Sequence, residues 1–139
     1  MYYGGVPYIT KVLDTSMGDE MFQPCMSQED MYKEMTTDLS NAAKVLPNEQ
    51  GGGRFTKGAA LTLKAWIDLY WGDIIKDPRP SSIFPADSQK ALDAYKACAE
   101  TCQEIMGLGV YDLMPTREDA LKEENNNCKE QVLHISVIK

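Results

Sequence analysis

The stretch Gly53–Gly72, GRFTKGAALTLKAWIDLYWG, is the part of the sequence that decides the fold. Thr56 is suited to cap the start of a helix, because its hydroxyl can accept a hydrogen bond from a backbone amide of the first turn. Gly72 is suited to end the helix, because glycine tolerates the left-handed conformation that often follows a last turn. The sequence therefore predicts a central helix over Thr56–Trp71.

Apolar side chains surround this predicted helix on most of its circumference. One face repeats at spacings of three and four residues and consists of Ala59, Ala60, Leu63, Ile67 and Tyr70. Further apolar surface comes from Leu61, Ala65, Trp66, Leu69 and Trp71. A helix of this kind is usually covered by neighbours on more than one side. We therefore expect a buried helix, with both tryptophans in the core.

An amphipathic helix is predicted before the central one, over Ser27–Leu46. Ser27 is the cap, Asp30 lies at the capping-box position, and Pro47 ends the helix because the residue before a proline avoids the α conformation. The apolar stripe of this helix consists of Met31, Met35, Leu39, Ala42 and Leu46. Methionines also suit adaptable binding grooves, but this helical spacing favours ordinary core.

A third helix is predicted after the central one, beginning near Asp87 or Ser88 and ended by Gly107 and Gly109. Its apolar stripe consists of Ala91, Leu92, Tyr95, Cys98, Ala99, Cys102, Ile105 and Met106. Pairing of two alanine-rich helices is typical of a tetratricopeptide-type hairpin, although the strict repeat consensus is not present.

The remaining segments are predicted to be mostly irregular. We expect loops at Met1–Met26 and Asn48–Gly53, a proline-rich surface insertion at Asp73–Ala86, and a short helix over Thr116–Glu124. Alternating apolar and β-branched residues predict a strand at Gln131–Ile138. The expected fold class is therefore mainly all-α, with antiparallel tetratricopeptide-like helix hairpins, irregular loops and a short C-terminal strand.

Composition limits the possible functions. The chain has 139 residues, 43% of them hydrophobic, and a formal net charge of −7. This length suffices for one domain with a real core. The acidity argues against non-specific nucleic-acid binding, which requires clustered Lys and Arg. No apolar run approaches the roughly 20 residues that span a bilayer, and no secretory signal follows Met1. The chain is therefore either cytoplasmic or a piece of a longer exported protein.

Few residues suggest a catalytic, metal-binding or phosphate-binding site. Three glycines precede Arg54, but a phosphate-binding loop requires a Gly-Lys-Ser/Thr ending after a strand, so a connector is expected. Cys98 and Cys102 lie one helical turn apart, but zinc sites normally require paired Cys/His knuckles. A disulfide between them is also disfavoured by helix geometry. His134 is the single histidine. No Ser or Cys nucleophile and no carboxylate lies at a spacing from it that is typical of a catalytic pair, so we expect a structural role.

Tryptophan rings can stack on sugars, but Trp66 and Trp71 both lie on the central helix, where core packing is the default. The exposed aromatic candidates are Tyr2, Tyr3 and Phe84, which lie on predicted loops. The sequence thus assigns no catalytic, cofactor-binding or metal-binding residue, and the ligand-binding residues are unknown.

Five blocks, taken in order, resemble the SusD/RagB family of Bacteroidetes. They are GGVPYITKVL at 4–13, EDMYKEMTTDLSNAAKVLP at 29–47, GRFTKGAALTLKAWIDLYWGD at 53–73, AYKACAETCQEIMGLGVYDLM at 94–114 and NNNCKEQVLHISV at 125–137. The resemblance covers essentially all of this chain but only an internal minority of a full member. Two features depart from the family pattern: the long Asp73–Ala86 insertion, whose role is open, and Leu133-His134, where an aromatic residue is common.

The resemblance implies a fragment, 1–139, of a surface-exposed outer-membrane lipoprotein that binds glycans or other nutrients and acts with a SusC-like TonB-dependent transporter. In that family the helical-repeat region is mainly scaffold and transporter-facing layer, and the ligand-binding aromatics lie elsewhere. No enzyme activity and no cofactor is implied. A cytoplasmic helical-repeat interaction module is the alternative, and a small enzyme is disfavoured because there is only one histidine.

Overall fold

The computed structural model describes residues 5–48, 54–78, 84–122 and 128–132. A 3-10 helix, Thr15–Met21, comes first and is followed by four α-helices: α1 Gln28–Val45, α2 Lys57–Lys76, α3 Ser88–Gly107 and α4 Arg117–Leu121. The described residues contain no strand, and the mainly all-α fold class is confirmed. The predicted strand Gln131–Ile138 lies outside the described residues apart from Gln131 and Val132, which are not in a strand.

The predicted helix starts are confirmed, because each carries a side chain that satisfies free backbone amides. The hydroxyl of Ser27 accepts a hydrogen bond from the amide of Asp30 at 3.0 Å. The hydroxyl of Thr56 accepts one from the amide of Ala59 at 3.2 Å. Asp87 caps α3 through its carboxylate, and Thr116 caps α4 through its hydroxyl. Such caps stabilise a helix by about 1 kcal/mol each.

Two predicted helix ends are wrong. α2 does not stop at Trp71 but continues through Gly72 to Lys76, so it takes in the start of the predicted insertion. Gly72 is buried, and a Cβ atom placed on it would lie 2.5 Å from Cε1 of Tyr95. The glycine therefore allows a close approach of α3 rather than ending α2. α4 ends at Leu121 instead of continuing to Glu124.

Replacing Gly72 with alanine is expected to destabilise the chain by about 1–3 kcal/mol, because the added methyl group forces the Tyr95 ring out of place. Gly107→Ala is the matched control, since nothing lies within 4 Å of a Cβ atom there, and alanine in a helix is favoured over glycine by about 0.5–1 kcal/mol. Urea denaturation of both variants checks this. A Gly72→Ala protein as stable as the parent would contradict the close approach.

α2 lies against both α1 and α3 and runs antiparallel to each. Along α1, Tyr32 meets Trp71 while Ala43 meets Ala60, so the residue numbers run in opposite directions. Two clusters form the core. The first contains Trp71, Ile75, Ala91 and Ala94, and the second contains Ala43, Ala60 and Leu61. The alanines allow the helix backbones to approach closely. This antiparallel arrangement is that of the predicted hairpins.

The buried faces of α2 and α3 differ from the predicted ones. On α2, Leu63, Trp66, Leu69 and Tyr70 are exposed although they were predicted to be core. The reason is that α1 and α3 contact the same half of α2 and leave the other half uncovered. On α3 the buried residues are Ala91, Ala94 and Thr101, whereas the predicted stripe members Leu92, Ala99, Cys102 and Met106 are exposed. The buried Thr101 makes a polar contact that is described below.

The N-terminal segment lies along α1. The amide of Met26 donates to the carbonyl of Val6 at 3.0 Å, and the hydroxyl of Tyr8 donates to Asp38 at 2.7 Å. The 3-10 helix within this segment was not predicted. The side chain of Asp14 caps it, and Gly18 interrupts it with a positive φ of 55°.

Candidate functional site

A buried polar network joins the three long helices. Asp68 of α2 is 1% exposed, and its carboxylate accepts hydrogen bonds from the hydroxyl of Tyr32 and the ammonium of Lys64, each at 2.8 Å. Lys64 also donates to the hydroxyl of Thr101 at 3.0 Å. That hydroxyl in turn donates to the carbonyl of Ala97 at 2.8 Å. One residue of α1, two of α2 and one of α3 are therefore tied together.

The network has the character of a structural tie rather than of a reactive site. Burial, and then the hydrogen bond to Asp68, raise the pKa of Tyr32 above its usual range, so the phenol stays protonated and acts as a donor. Asp68 is buried with its carboxylate held by Tyr32 and Lys64, whereas a general base must reach the proton that it removes. The Lys64–Asp68 pair was missed at the sequence level, although its four-residue spacing is the usual one for a helical ion pair.

An aromatic cluster lies next to this network. Trp71 stacks on Tyr32 with ring centroids 5.2 Å apart and an interplanar angle of 14°. Phe84 meets the same indole at 5.8 Å in a tilted arrangement. Trp71 is buried, as predicted. Phe84 is half-buried against it, which corrects its prediction as an exposed loop aromatic. Neither ring is therefore available as a sugar platform.

A shallow cleft of about 240 Å³ opens above this cluster between α1 and α3. Tyr32 and Trp71 form part of its floor, and Glu29, Lys33, Lys90 and Asp93 line its rim. Glu29 binds Lys90 at 2.7 Å and Lys33 at 3.0 Å. The bond to Lys90 and then that to Lys33 lower the pKa of Glu29, and the same carboxylate raises the pKa of Lys90. The rim charges are thus largely neutralised among themselves.

A second cleft, of about 350 Å³, is lined by three lysines and two glutamates: Lys44, Lys57, Lys64, Glu100 and Glu104. Each lysine has a partner. Lys57 pairs with Glu104 at 2.9 Å, Lys64 binds Asp68, and Lys44 donates to Asn41 at 3.0 Å. Two of the three lysines are therefore held in ion pairs, whereas the partner of Lys44 is a neutral amide.

The two cysteines of α3 are free thiols. Cys98 is half-buried, and burial raises its pKa, with the neighbouring Cys102 thiol adding to the effect. Cys102 is exposed, which corrects its place on the buried stripe. Within residues 5–48, 54–78, 84–122 and 128–132, no three potential metal ligands come together. Other sequence candidates lie outside the described residues: Tyr2, Tyr3, His134 and the glycines 51–53.

Trp66 differs most from its prediction. Its side chain is 70% exposed, on the opposite side of α2 from Trp71. Periodicity alone could not separate the two tryptophans, because apolar residues occur on both sides of this helix. Lys64 and Asp68 point inward, and Trp66 lies two residues from each of them. Two residues are about half a helical turn, so Trp66 points outward.

The chain is similar to a SusD-like protein from Bacteroides fragilis NCTC 9343 whose crystal structure is known. The two share 28% sequence identity with a TM-score of 0.73, and the match covers 99% of this chain and 24% of that protein. This chain thus spans about a quarter of that protein's length. Comparisons with protein-family models and with curated proteins give no match. Among the described residues, no helix is both long and apolar enough to cross a membrane.

Proposed function

Because this chain is SusD-like in sequence and fold over 99% of its length, we propose that it is part of a nutrient-binding lipoprotein of the bacterial outer membrane. That protein takes up glycans or other nutrients at the cell surface together with a SusC-like TonB-dependent transporter. The similarity to the Bacteroides fragilis protein is the observation that supports this proposal. No enzyme activity and no cofactor is part of it.

Within that protein, residues 1–139 form one helical-repeat region that serves as scaffold and as the layer facing the transporter. The local chemistry favours a scaffold. The buried charges of α2 hold neighbouring helices together, and Lys57 and Lys90 at the two clefts are held in ion pairs. A glycan site usually presents an accessible aromatic face beside placed polar groups, whereas the indole of Trp71 in the cleft between α1 and α3 is only 6% exposed.

The partnership with a transporter is tested on the complete product of the gene that encodes this chain. We expect that product to reach the outer membrane through a lipid-accepting cysteine near its start, and to co-purify with a TonB-dependent transporter encoded by a neighbouring gene. A product that stays in the cytoplasm and binds no transporter would contradict the proposal and favour the alternative, a cytoplasmic helical-repeat interaction module.

The chain alone is expected to bind oligosaccharides weakly or not at all. Trp71 is covered by other rings, and the exposed Trp66 has only the hydroxyls of Thr62 and Tyr70 beside the leucines of its face. Ordering loop residues around a ligand costs about 1–2 kcal/mol per residue, which offsets a few hydrogen bonds. Isothermal titration against starch, levan, mucin and N-glycan fragments checks this. Sub-millimolar binding that Trp66→Ala abolishes and Phe22→Ala preserves would overturn the scaffold role.

A further inference from the structure

The outer face of α2 is apolar, whereas the charged residues of this segment point inward. Between Leu61 and Gly72 the only charged residues are Lys64 and Asp68, whose side chains are 18% and 1% exposed. The opposite face carries four large apolar side chains that are 37% to 70% exposed; we call them the outer stripe, and they are Leu63, Trp66, Leu69 and Tyr70. A helix that faces water shows the reverse arrangement.

The outer stripe has the shape of a helix-packing surface. Its residues follow spacings of three and four, and at 1.5 Å per residue they extend over about 10 Å along the helix axis. Ridges of this kind fit into the grooves of another helix, as the inner face of α2 does with α1 and α3. Single exposed apolar residues are common, but a contiguous row of large ones marks an interface.

We propose that the outer stripe is an internal interface, covered by the apolar face of a further helix from the same polypeptide that lies outside residues 1–139. The inference rests on the SusD-like assignment. The match covers only 24% of the length of the SusD-like protein. The rest of such a protein is therefore about three times as long as this chain. A second copy is a poorer occupant, because two chains of charge −7 repel each other. A sugar is poorer still, because the stripe offers it one hydroxyl, that of Tyr70, and no charged or amide side chain.

Photo-crosslinking in the complete gene product tests this occupant directly. The photoreactive residue p-benzoylphenylalanine replaces Trp66, and in a second variant Leu69, so that the result does not depend on one substitution. Phe22→p-benzoylphenylalanine is the matched control, because Phe22 is 81% exposed but lies outside the stripe. Thermal melting of each variant verifies that it is folded. After irradiation, mass spectrometry identifies the attached peptide.

We expect both stripe positions to give intramolecular crosslinks to peptides outside residues 1–139, and position 22 to give at least tenfold fewer of them. Four results would overturn the proposal: a crosslink to a second copy, a crosslink to the transporter or another protein, no crosslink at either stripe position, or a gene that encodes no further polypeptide. A crosslink to the transporter would overturn this inference and support the proposed function, whereas the other crosslinking results leave the proposed function to the co-purification experiment. The proposed function and this inference can therefore fail separately.

Discussion

Asp68→Ala is expected to cost the chain about 3–5 kcal/mol of its free energy of unfolding, because it leaves the ammonium of Lys64 without its ionic partner inside the helix layer. The phenol of Tyr32 loses its acceptor at the same time, and an unsatisfied buried donor costs about a further 1–3 kcal/mol. The free energy of unfolding of a domain is only about 5–15 kcal/mol. We therefore expect a chain that is unfolded or close to it, as measured by circular dichroism during urea denaturation.

Asp73→Ala is the matched control for this change. Asp73 lies on the same helix and accepts a hydrogen bond from Tyr95 at 2.7 Å, but the contact is exposed to solvent. Its loss should cost about 1 kcal/mol or less, because water replaces the missing partner. If Asp68→Ala cost no more than Asp73→Ala, the network would not be the tie between the helices.

A double variant separates burial of charge from loss of a partner. Replacing Lys64 with methionine and Asp68 with leucine removes both charges and leaves residues of similar volume. Such replacements of buried ion pairs are often neutral or stabilising. We expect Lys64→Met with Asp68→Leu to regain most of the stability that Asp68→Ala loses. A double variant as unstable as the single one would show that packing or the lost acceptor of Tyr32, and not unpaired charge, controls this region.

The helix starts were predictable because a cap is a local interaction. Ser27, Thr56, Asp87 and Thr116 bind amides only two or three residues further along the chain. The sequence contains everything needed for such contacts. The end of α2 was not predictable in the same way, because the role of Gly72 depends on Tyr95, which approaches from another helix.

The direction in which α2 faces also depends on other helices. Its apolar residues lie on both sides, so their spacing fits a core on either side. Contacts with α1 and α3 decide which side of α2 is buried. Tyr32 of α1 donates a hydrogen bond to Asp68, and Thr101 of α3 accepts one from Lys64. The buried polar network could not be predicted from the sequence for the same reason. Its residues come from three helices, and nothing in the local sequence shows that they meet.

Two aspartate substitutions on α2, one on each face, are expected to differ most in their effect on the free energy of unfolding. Ile67 is 4% exposed and Leu63 is 44% exposed, although both were predicted to be core. Ile67→Asp places a carboxylate without a partner in the interior at a cost of several kcal/mol, about 3 or more, and should unfold the chain. Leu63→Asp leaves its carboxylate in water and should cost about 1 kcal/mol or less in the isolated chain.

The same pair also bears on what covers the outer stripe. In the isolated chain only Ile67→Asp should abolish the cooperative unfolding transition in urea. In the complete gene product, where we propose that a further helix covers Leu63, the Leu63→Asp variant should lose stability as well, because its carboxylate then has no access to water. Equal loss from both substitutions in the isolated chain would mean that the outer face of α2 is already buried there, and the assignment of its two faces would be wrong.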